Sequence, residues 1–119
     1  MKIKYEIILV NDGSKDKTWD VMQNLMKKYL QNTIYAISYG KNAGKGHAVM
    51  TGMKYTKGNY ILMVDADGAT ETKDFEKLKR ELDKIKTEEH LGIAIGSRAH
   101  LERADGDEVQ VIFFKNINF

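Results

Sequence analysis

The sequence contains no cysteine and only three histidines. Disulfide bonds and thiolate metal sites are therefore excluded, and any bound metal must take its ligands from oxygen atoms or from histidine. His47, His90 and His100 are scattered along the chain without the spacing of a metal site. The chain also contains no proline, which is unusual over 119 residues.

Long apolar runs are absent as well. No hydrophobic stretch approaches the roughly 20 residues of a membrane-spanning helix, and residues 1–5 lack the apolar core of a signal peptide. These absences predict a soluble, cytoplasmic chain. The net charge is only +2, so the composition gives no indication of a nucleic-acid partner.

Two common nucleotide-binding signatures are missing. The loop Gly44-Lys45-Gly46 precedes a predicted helix, where backbone amides and a lysine can meet an anion, but it lacks the G-x-x-x-x-G-K-[ST] spacing of a Walker A loop. No G-x-G-x-x-G fingerprint follows the first predicted strand, which argues against a dinucleotide-binding oxidoreductase.

The composition is that of a soluble globular protein, with 42% hydrophobic and 30% charged residues. Short apolar runs typical of buried strands alternate with segments of helical period. The order βαβαβαβ predicts a mostly parallel sheet with helices on both faces. Residues 99–119 have no clear period, and Val109–Phe114 is either a strand or the start of a helix. The predicted strands are 7–10, 34–38, 60–64 and 91–95, and the predicted helices are 18–30, a segment after Gly46, and 73–86.

Four polar segments directly follow the predicted strands. In open α/β sheets ligands bind at the carboxyl ends of the strands, so these segments are expected to line one edge of the sheet. Their convergence carries more information than any one of them alone. The segments are residues 11–14, 42–46, 65–70 and 96–98.

Asp65 and Asp67 stand one residue apart at the end of the strongest predicted strand. In an extended segment both carboxylates face the same side, and two like charges held close together favour a cation between them. Mg²⁺ or Mn²⁺, with diphosphate oxygens as further ligands, suits such a pair. The alternative is a polar strand end whose aspartates cap the following turn.

Asp12 also has two interpretations. In one, Asp12 or Ser14 accepts or donates hydrogen bonds to backbone groups of a strand-to-helix turn. In the other, the Asp12 carboxylate accepts a hydrogen bond from the imide N–H of a uracil ring or from a ribose hydroxyl.

Taken together, four segments resemble a known family: Glu6–Ser14, Lys41–Gly46, Asp65–Thr70 and Gly96–Leu101. They are similar to the inverting family 2 glycosyltransferases of GT-A fold that load a sugar onto polyprenyl phosphate, most closely the dolichyl-phosphate β-glucosyltransferases. The sister mannosyltransferases usually carry a larger polar residue, often Gln, where Ala69 stands here. The resemblance covers residues 5–103.

This resemblance implies a GT-A-type, Rossmann-like nucleotide-sugar-binding half that takes UDP-glucose as donor, dolichyl phosphate as acceptor, and Mg²⁺ or Mn²⁺ as cofactor. The complete family acts at the cytosolic face of the endoplasmic reticulum membrane. Asp65 and Asp67 would hold the metal, and Asp67 and Arg98 would be catalytic, with Arg98 binding phosphate near the reaction centre. The implied nucleotide-sugar-binding residues are Asp12, Gly13, Ser14, Asn42, Gly44, Lys45, Asp65, Ala66 and Asp67.

The sequence departs from the family pattern in three places. Asn11 stands where the family commonly has Asp. The family opens with an earlier strand and a Pro-x-Tyr-Asn-Glu-type loop, whereas this chain begins at the next strand, which partly accounts for the absent proline. After Arg103 the sequence diverges, so we expect a partial binding domain over residues 1–103 and a truncated or divergent tail over 104–119.

These departures leave two classes of function open. The chain is a UDP-glucose:dolichyl-phosphate glucosyltransferase or a piece of one, with a related mannosyltransferase as a further alternative. Otherwise it is a non-catalytic module that keeps UDP-sugar and metal binding, or only the fold. Loss of the first strand would expose a sheet edge, which predicts self-association.

Overall fold

The computed structural model describes residues 4–29, 33–68, 74–85, 92–96 and 111–115. Strands and helices alternate up to β4, as the sequence predicts. The chain divides into two compact units, Met1–Gly58 and Asn59–Phe119. The elements are β1 (Ile7–Asn11), α1 (Thr18–Lys28), β2 (Ile34–Ser38), α2 (Lys45–Lys54), β3 (Tyr60–Met63), α3 (Asp74–Lys84), β4 (Gly92–Gly96) and β5 (Val111–Lys115).

The first unit is built on a parallel pair of strands. β1 and β2 pair in register from Ile7 opposite Ile34 to Asn11 opposite Ser38. A parallel pair needs a crossover connection, and α1 supplies it. Because both strands run the same way, their carboxyl ends lie side by side. The loops that follow β1 and β2 therefore leave the sheet at the same edge.

Local interactions define the start of α1. The Asp16 carboxylate accepts hydrogen bonds from the backbone N–H and the hydroxyl of Thr18, at 3.0 and 2.5 Å. These bonds satisfy one of the N–H groups that a helix start leaves without an intrahelical partner. Met22 is the buried residue of α1, whereas Val21, predicted on the same face, is 55% exposed.

α2 packs closely against β1. A Cβ atom at Gly52 would lie 3.2 Å from Cγ2 of Val10, so the glycine allows the helix backbone to approach the strand. Ala48, Val49 and Met53, predicted on the same face, are half-buried. The helical spacing of these small and apolar residues therefore identifies the face that meets the sheet.

The second unit contains a three-stranded sheet in the order β3-β5-β4. β5 lies between β3 and β4 and pairs antiparallel with both, so β3 and β4 run in the same direction without being neighbours. β5 falls in the segment 104–119 and resolves the choice between strand and helix in favour of a strand for Val111–Phe114, the described part of the predicted segment 109–114. The predicted domain boundary at residue 103 lies outside the described residues.

α3 packs on this sheet through Leu82, which is fully buried. A Cβ atom at Gly92 would lie 2.7 Å from Cδ1 of Leu82, so the leucine fills the space that the glycine leaves on β4. On the same side of the sheet the Tyr60 hydroxyl donates a hydrogen bond of 2.6 Å to the Asp83 carboxylate. The predicted amphipathic face of α3 is thus the face that meets the sheet.

The α/β class and the parallel strand pairing agree with the fold expected from the sequence. Within the described residues, no helix is long and apolar enough to cross a membrane. The self-association expected from an exposed sheet edge stays a prediction.

Candidate functional site

Asn11 connects the ends of β1 and β2. Its side chain is buried, its Oδ1 accepts a hydrogen bond from the Ser14 N–H at 2.9 Å, and its Nδ2 donates one to the Ser38 hydroxyl at 3.1 Å. The neutral amide thus stabilises the turn after β1 and the end of β2 at the same time. An amide in this place avoids the cost of burying a carboxylate charge.

Replacement of Asn11 by Ala is expected to lower the free energy of unfolding by about 1–3 kcal/mol, because the Ser14 N–H and the Ser38 hydroxyl would lose their partner. Urea unfolding followed by the fluorescence of Trp19, the only tryptophan of the sequence, measures this change. Asn24→Ala is the matched control, because Asn24 is exposed on α1 and its loss should change stability by less than about 0.5 kcal/mol. Equal effects of the two changes would contradict the prediction.

Asp12 holds the loop that leads into α2. One carboxylate oxygen accepts a hydrogen bond from the Ala43 N–H at 2.7 Å and the other accepts one from the Gly44 N–H at 2.9 Å. We call this arrangement the Asp12 clamp: the Asp12 carboxylate with the backbone N–H groups of Ala43 and Gly44. The hydrogen bonds to backbone amides that one interpretation required are present, but they reach across the sheet edge to a different loop.

The clamp keeps Asp12 ionised. The hydrogen bond from the Ala43 N–H is the largest influence, and it holds the pKa of Asp12 below its usual value against the opposing effect of burial. Tyr39, the Gly44 N–H and the nearby His47 lower the pKa further. A carboxyl group with a lowered pKa stabilises the fold above its unfolded-state pKa, and this contribution disappears as the pH falls through the folded-state pKa.

Gly13 lets the two loops approach each other. Its φ is +76°, and a Cβ atom there would lie 2.6 Å from the backbone N of Asn42 and 2.8 Å from the backbone carbonyl carbon of Lys41. Both atoms belong to backbone, so they cannot move aside as a flexible side chain could. The sequence predicted Gly13 as a nucleotide-binding residue. The structure shows that the close packing of the two loops requires a glycine at this position.

The loop ends in a turn at Gly44, whose φ of 91° and ψ of 159° are accessible essentially only to glycine. α2 begins at the next residue, without a side-chain cap and without an acidic residue in its first turn. Its N-terminal amides carry partial positive charge, and the exposed Lys45 adds a full one. This end of α2 is suited to an anionic group such as a phosphate.

The structure adds Tyr39 and His47 to this edge, two residues that the sequence did not single out for it. Their rings meet edge to face, with centroids 5.0 Å apart and an interplanar angle of 85°. The Tyr39 hydroxyl is buried, and no group in the described part of the chain has hydrogen-bond geometry with it. Burial first, and the neighbouring Asp12 second, raise the pKa of Tyr39. Asp12 and Tyr39 each directly follow one of the two parallel strands, and this shared position was the sequence signal for their proximity.

Asp65, Ala66 and Asp67 follow β3 in the second unit, and all three are exposed. β3 ends at Met63, and Asp67 already lies in a turn that continues to Gly68, whose φ is +77°. The alternation of an extended strand therefore does not apply to this pair of aspartates. The turn after β3, which the alternative interpretation of these aspartates required, is present. The metal site stays a prediction.

The two aspartates match the ligand chemistry of Mg²⁺ or Mn²⁺. Among the described residues there is no group of three or more histidine or acidic side chains that could hold a metal. Magnesium is commonly bound by one or two carboxylates together with water and substrate phosphates, so an exposed pair of carboxylates suits it without a third protein ligand. Arg98, predicted to bind phosphate, lies outside the described residues.

The structure thus brings part of the predicted site together. Asp12, Gly13, Asn42 and Gly44 meet in the first unit, where Ser14 donates its N–H to Asn11 and Lys45 begins α2. Asp65 and Asp67 belong to the second unit.

Parallel strands followed by polar loops at their carboxyl ends are the arrangement in which open α/β domains bind ligands. In agreement with this, residues 2–100 match glycosyl transferase family 2, and the chain belongs to that family.

Several similar proteins are dolichyl-phosphate beta-glucosyltransferases. The protein of that name from Trichomonas vaginalis is 46% identical over 101 residues, which are 85% of this chain and 29% of the relative. The Dictyostelium discoideum protein is 44% identical over 105 residues, or 88% of this chain and 32% of the relative. The human protein is 45% identical over 100 residues, or 83% and 31%. This chain therefore spans about a third of the length of these curated relatives. No solved structure matches it.

Proposed function

We propose that this chain forms the nucleotide-sugar-binding part of an enzyme that transfers glucose from UDP-glucose to dolichyl phosphate with inversion at the anomeric carbon. The observation that carries the proposal is the Asp12 clamp, which fixes the loop before α2 with bonds of 2.7 and 2.9 Å. The clamp orders a site for a nucleoside diphosphate at the edge where α/β domains bind ligands. The names of the similar proteins support glucose and dolichyl phosphate as the substrates.

The first unit would bind the nucleotide. The Asp12 carboxylate uses two acceptor positions in the clamp, and a carboxylate has about four, so it can still accept a hydrogen bond from the imide N–H of uracil. Lys45 and the amides at the start of α2 would bind the diphosphate. Asn42 is exposed in the same loop and would contact the nucleotide as well.

Asp65 and Asp67 would hold the divalent metal and, through it, the diphosphate. A bound Mg²⁺ or Mn²⁺ supplies charge neutralisation of the leaving UDP. Both carboxylates are exposed beside β3, so the diphosphate and water can complete the coordination. Ala66, between them, is exposed as well and would contact the bound donor.

The chemistry needs little general-base assistance. An oxygen of the acceptor phosphate attacks the anomeric carbon from the face opposite UDP, the bond from that carbon to the UDP oxygen breaks, and UDP leaves with the bonding electrons. An ionised phosphate is already nucleophilic, so no proton has to be removed from it. Asp67 would contribute by holding the metal that neutralises the diphosphate, and Arg98 would place its positive charge near a phosphate, so both would lower the barrier for departure of UDP.

A second function is a module that binds UDP-sugar and metal without turnover. The observation that favours it is that the candidate groups among the described residues all concern the donor and its metal. Both functions require the same donor site. An enzyme would glucosylate a short polyprenyl phosphate added with UDP-glucose and Mn²⁺, whereas a binding module would not. A mannosyltransferase would use GDP-mannose in place of UDP-glucose.

Asp67→Ala is expected to abolish the Mn²⁺-dependent part of UDP and UDP-glucose binding, measured by calorimetry with and without Mn²⁺. The loss should be at least about tenfold in affinity, since even outer-shell partners of metal ligands contribute about 10- to 100-fold. Glu76→Ala is the control, because Glu76 is an exposed carboxylate on α3 of the same unit. Metal-dependent binding that survives in Asp67→Ala would exclude Asp67 as a metal ligand. A wild-type chain that binds no UDP would contradict both proposed functions.

A further inference from the structure

Tyr39 lies between the Asp12 clamp and the first turn of α2. It follows β2 directly, and its N–H donates a hydrogen bond of 3.5 Å to the Asn11 carbonyl oxygen, which continues the pairing of β1 with β2 by one residue. This pairing places Tyr39 alongside Asp12. Its ring then meets the ring of His47, three residues past the turn at Gly44, at 5.0 Å. Tyr39 thus stands at the start of the loop that the clamp holds and contacts His47 just beyond its end.

The hydroxyl of Tyr39 needs an explanation of its own. It is buried without a hydrogen-bond partner in the described part of the chain, and burying a polar group in this way costs free energy. A phenylalanine would fill the same space without that cost. A tyrosine hydroxyl is protonated at neutral pH, and burial with the neighbouring Asp12 raises the pKa of Tyr39 further, so the hydroxyl keeps its proton. The carboxylate that contributes to this rise in the pKa of Tyr39 is that of Asp12.

We propose that Tyr39 is a positioning residue of the donor site and acts through Asp12. Its hydroxyl is buried near the end of β1, and its ring contacts the ring of His47 in the first turn of α2. The hydroxyl is too buried to touch a ligand, so its effect on binding passes through the clamp. The effect on donor affinity rests on the proposed function, whereas the effect on the Asp12 carboxyl group does not.

The hydroxyl favours the charged form of Asp12. Of the groups that face this carboxylate, the Ala43 and Gly44 N–H groups, Tyr39 at the end of β2 and His47 on α2 all lower its pKa. Removal of the hydroxyl therefore makes the Asp12 carboxylate easier to protonate. A residue that only filled space would leave the titration of Asp12 unchanged.

Tyr39→Phe tests this inference, with Tyr35→Phe as the matched control. Tyr35 lies on β2 four residues earlier, and its ring is exposed and stands near Lys57 rather than Asp12. Carbon-13 NMR of the full chain follows the titration of the Asp12 carboxyl group. In Tyr39→Phe the midpoint is expected at higher pH, with changed amide signals for Ala43 and Gly44, and in Tyr35→Phe both stay as in the wild type.

Donor binding gives the second readout. Tyr39→Phe is expected to weaken UDP binding by about two- to tenfold, because a change at the Asp12 carboxylate reaches the ligand only through the clamp, while urea unfolding followed by Trp19 fluorescence shows no loss of stability. If the wild type binds no UDP, the proposed function fails, and the Asp12 titration still tests Tyr39. His47→Gln gives a second variant, expected to raise the Asp12 midpoint as well. An unchanged Asp12 midpoint in Tyr39→Phe would overturn the inference.

Discussion

Gly13→Ala is expected to destabilise the first unit by about 2–5 kcal/mol and to disrupt the Asp12 clamp. The positive φ of 76° alone costs an alanine about 1–2 kcal/mol. The Cβ atom would also lie 2.6 Å from the Asn42 backbone N, and such overpacking typically costs about 1–3 kcal/mol more. The loops after β1 and β2 would have to separate, which lengthens the hydrogen bonds that Asp12 makes.

Urea unfolding followed by Trp19 fluorescence measures the loss of stability, because Trp19 lies on α1 of this unit. The amide signals of Ala43 and Gly44 report on the clamp. Gly40→Ala is the control, since a Cβ atom there meets nothing within 4 Å and its φ is not in the left-handed region. A Gly13→Ala protein as stable as Gly40→Ala would show that the two loops do not need their close approach.

Leu82→Ala is expected to lower the free energy of unfolding by about 2–5 kcal/mol, the usual range for a buried leucine. Leu82 is fully buried and occupies the space beside Gly92 on β4. The cost should lie near the upper end of the range. The cavity would lie between α3 and β4. The side chains of β4 are small or exposed, so they cannot fill the cavity.

Urea unfolding followed by far-UV circular dichroism measures this change, because the second unit contains no tryptophan. Ile85→Ala is the matched control, since Ile85 follows α3, is 39% exposed and lies beside the same Gly92 position. Its loss should cost about 1 kcal/mol or less, in proportion to its smaller buried area. Similar losses for the two changes would contradict the packing of α3 described above.

Much of the secondary structure followed from hydrophobic period. β2 has the predicted bounds, and α1 begins at the predicted Thr18. Met22 and Leu82, both on predicted apolar helix faces, are buried. Val21 is exposed despite its place in the pattern, because a helix buries only one stripe and the pattern of α1 was wider than that stripe. Periodicity is a local property, so a single sequence displays it.

Strand pairing was harder to predict. Residues 109–114 are apolar, but nothing near them in the sequence shows that Val111–Lys115 inserts between β3 and β4 as an antiparallel strand. Pairing of this kind joins residues 15 to 55 positions apart, from Gly96 with Val111 to Tyr60 with Lys115. The free energy that selects it comes from contacts that form only in the folded unit.

The candidate site divides in the same way. Residue type and position after a strand are enough to identify Asp12, Lys45, Asp65 and Asp67 as candidates from the sequence. The sequence could not show that Asp12 uses both carboxylate oxygens to hold the Ala43 and Gly44 amides, because those groups lie more than 30 residues away. Nor could it show that Asp67 stands in a turn rather than in an extended strand.

The sequence by itself therefore determined the α/β class, the order of elements up to β4, the family resemblance and the residue types available for chemistry. These follow from local period and from motifs of a few residues. Tertiary structure decided the role of Gly13, the partners of Asp12, the placement of Tyr39 beside it and the strand pairing of β5. The physical reason is that a close approach, a hydrogen bond across a sheet edge and a strand register are set by atoms distant in sequence.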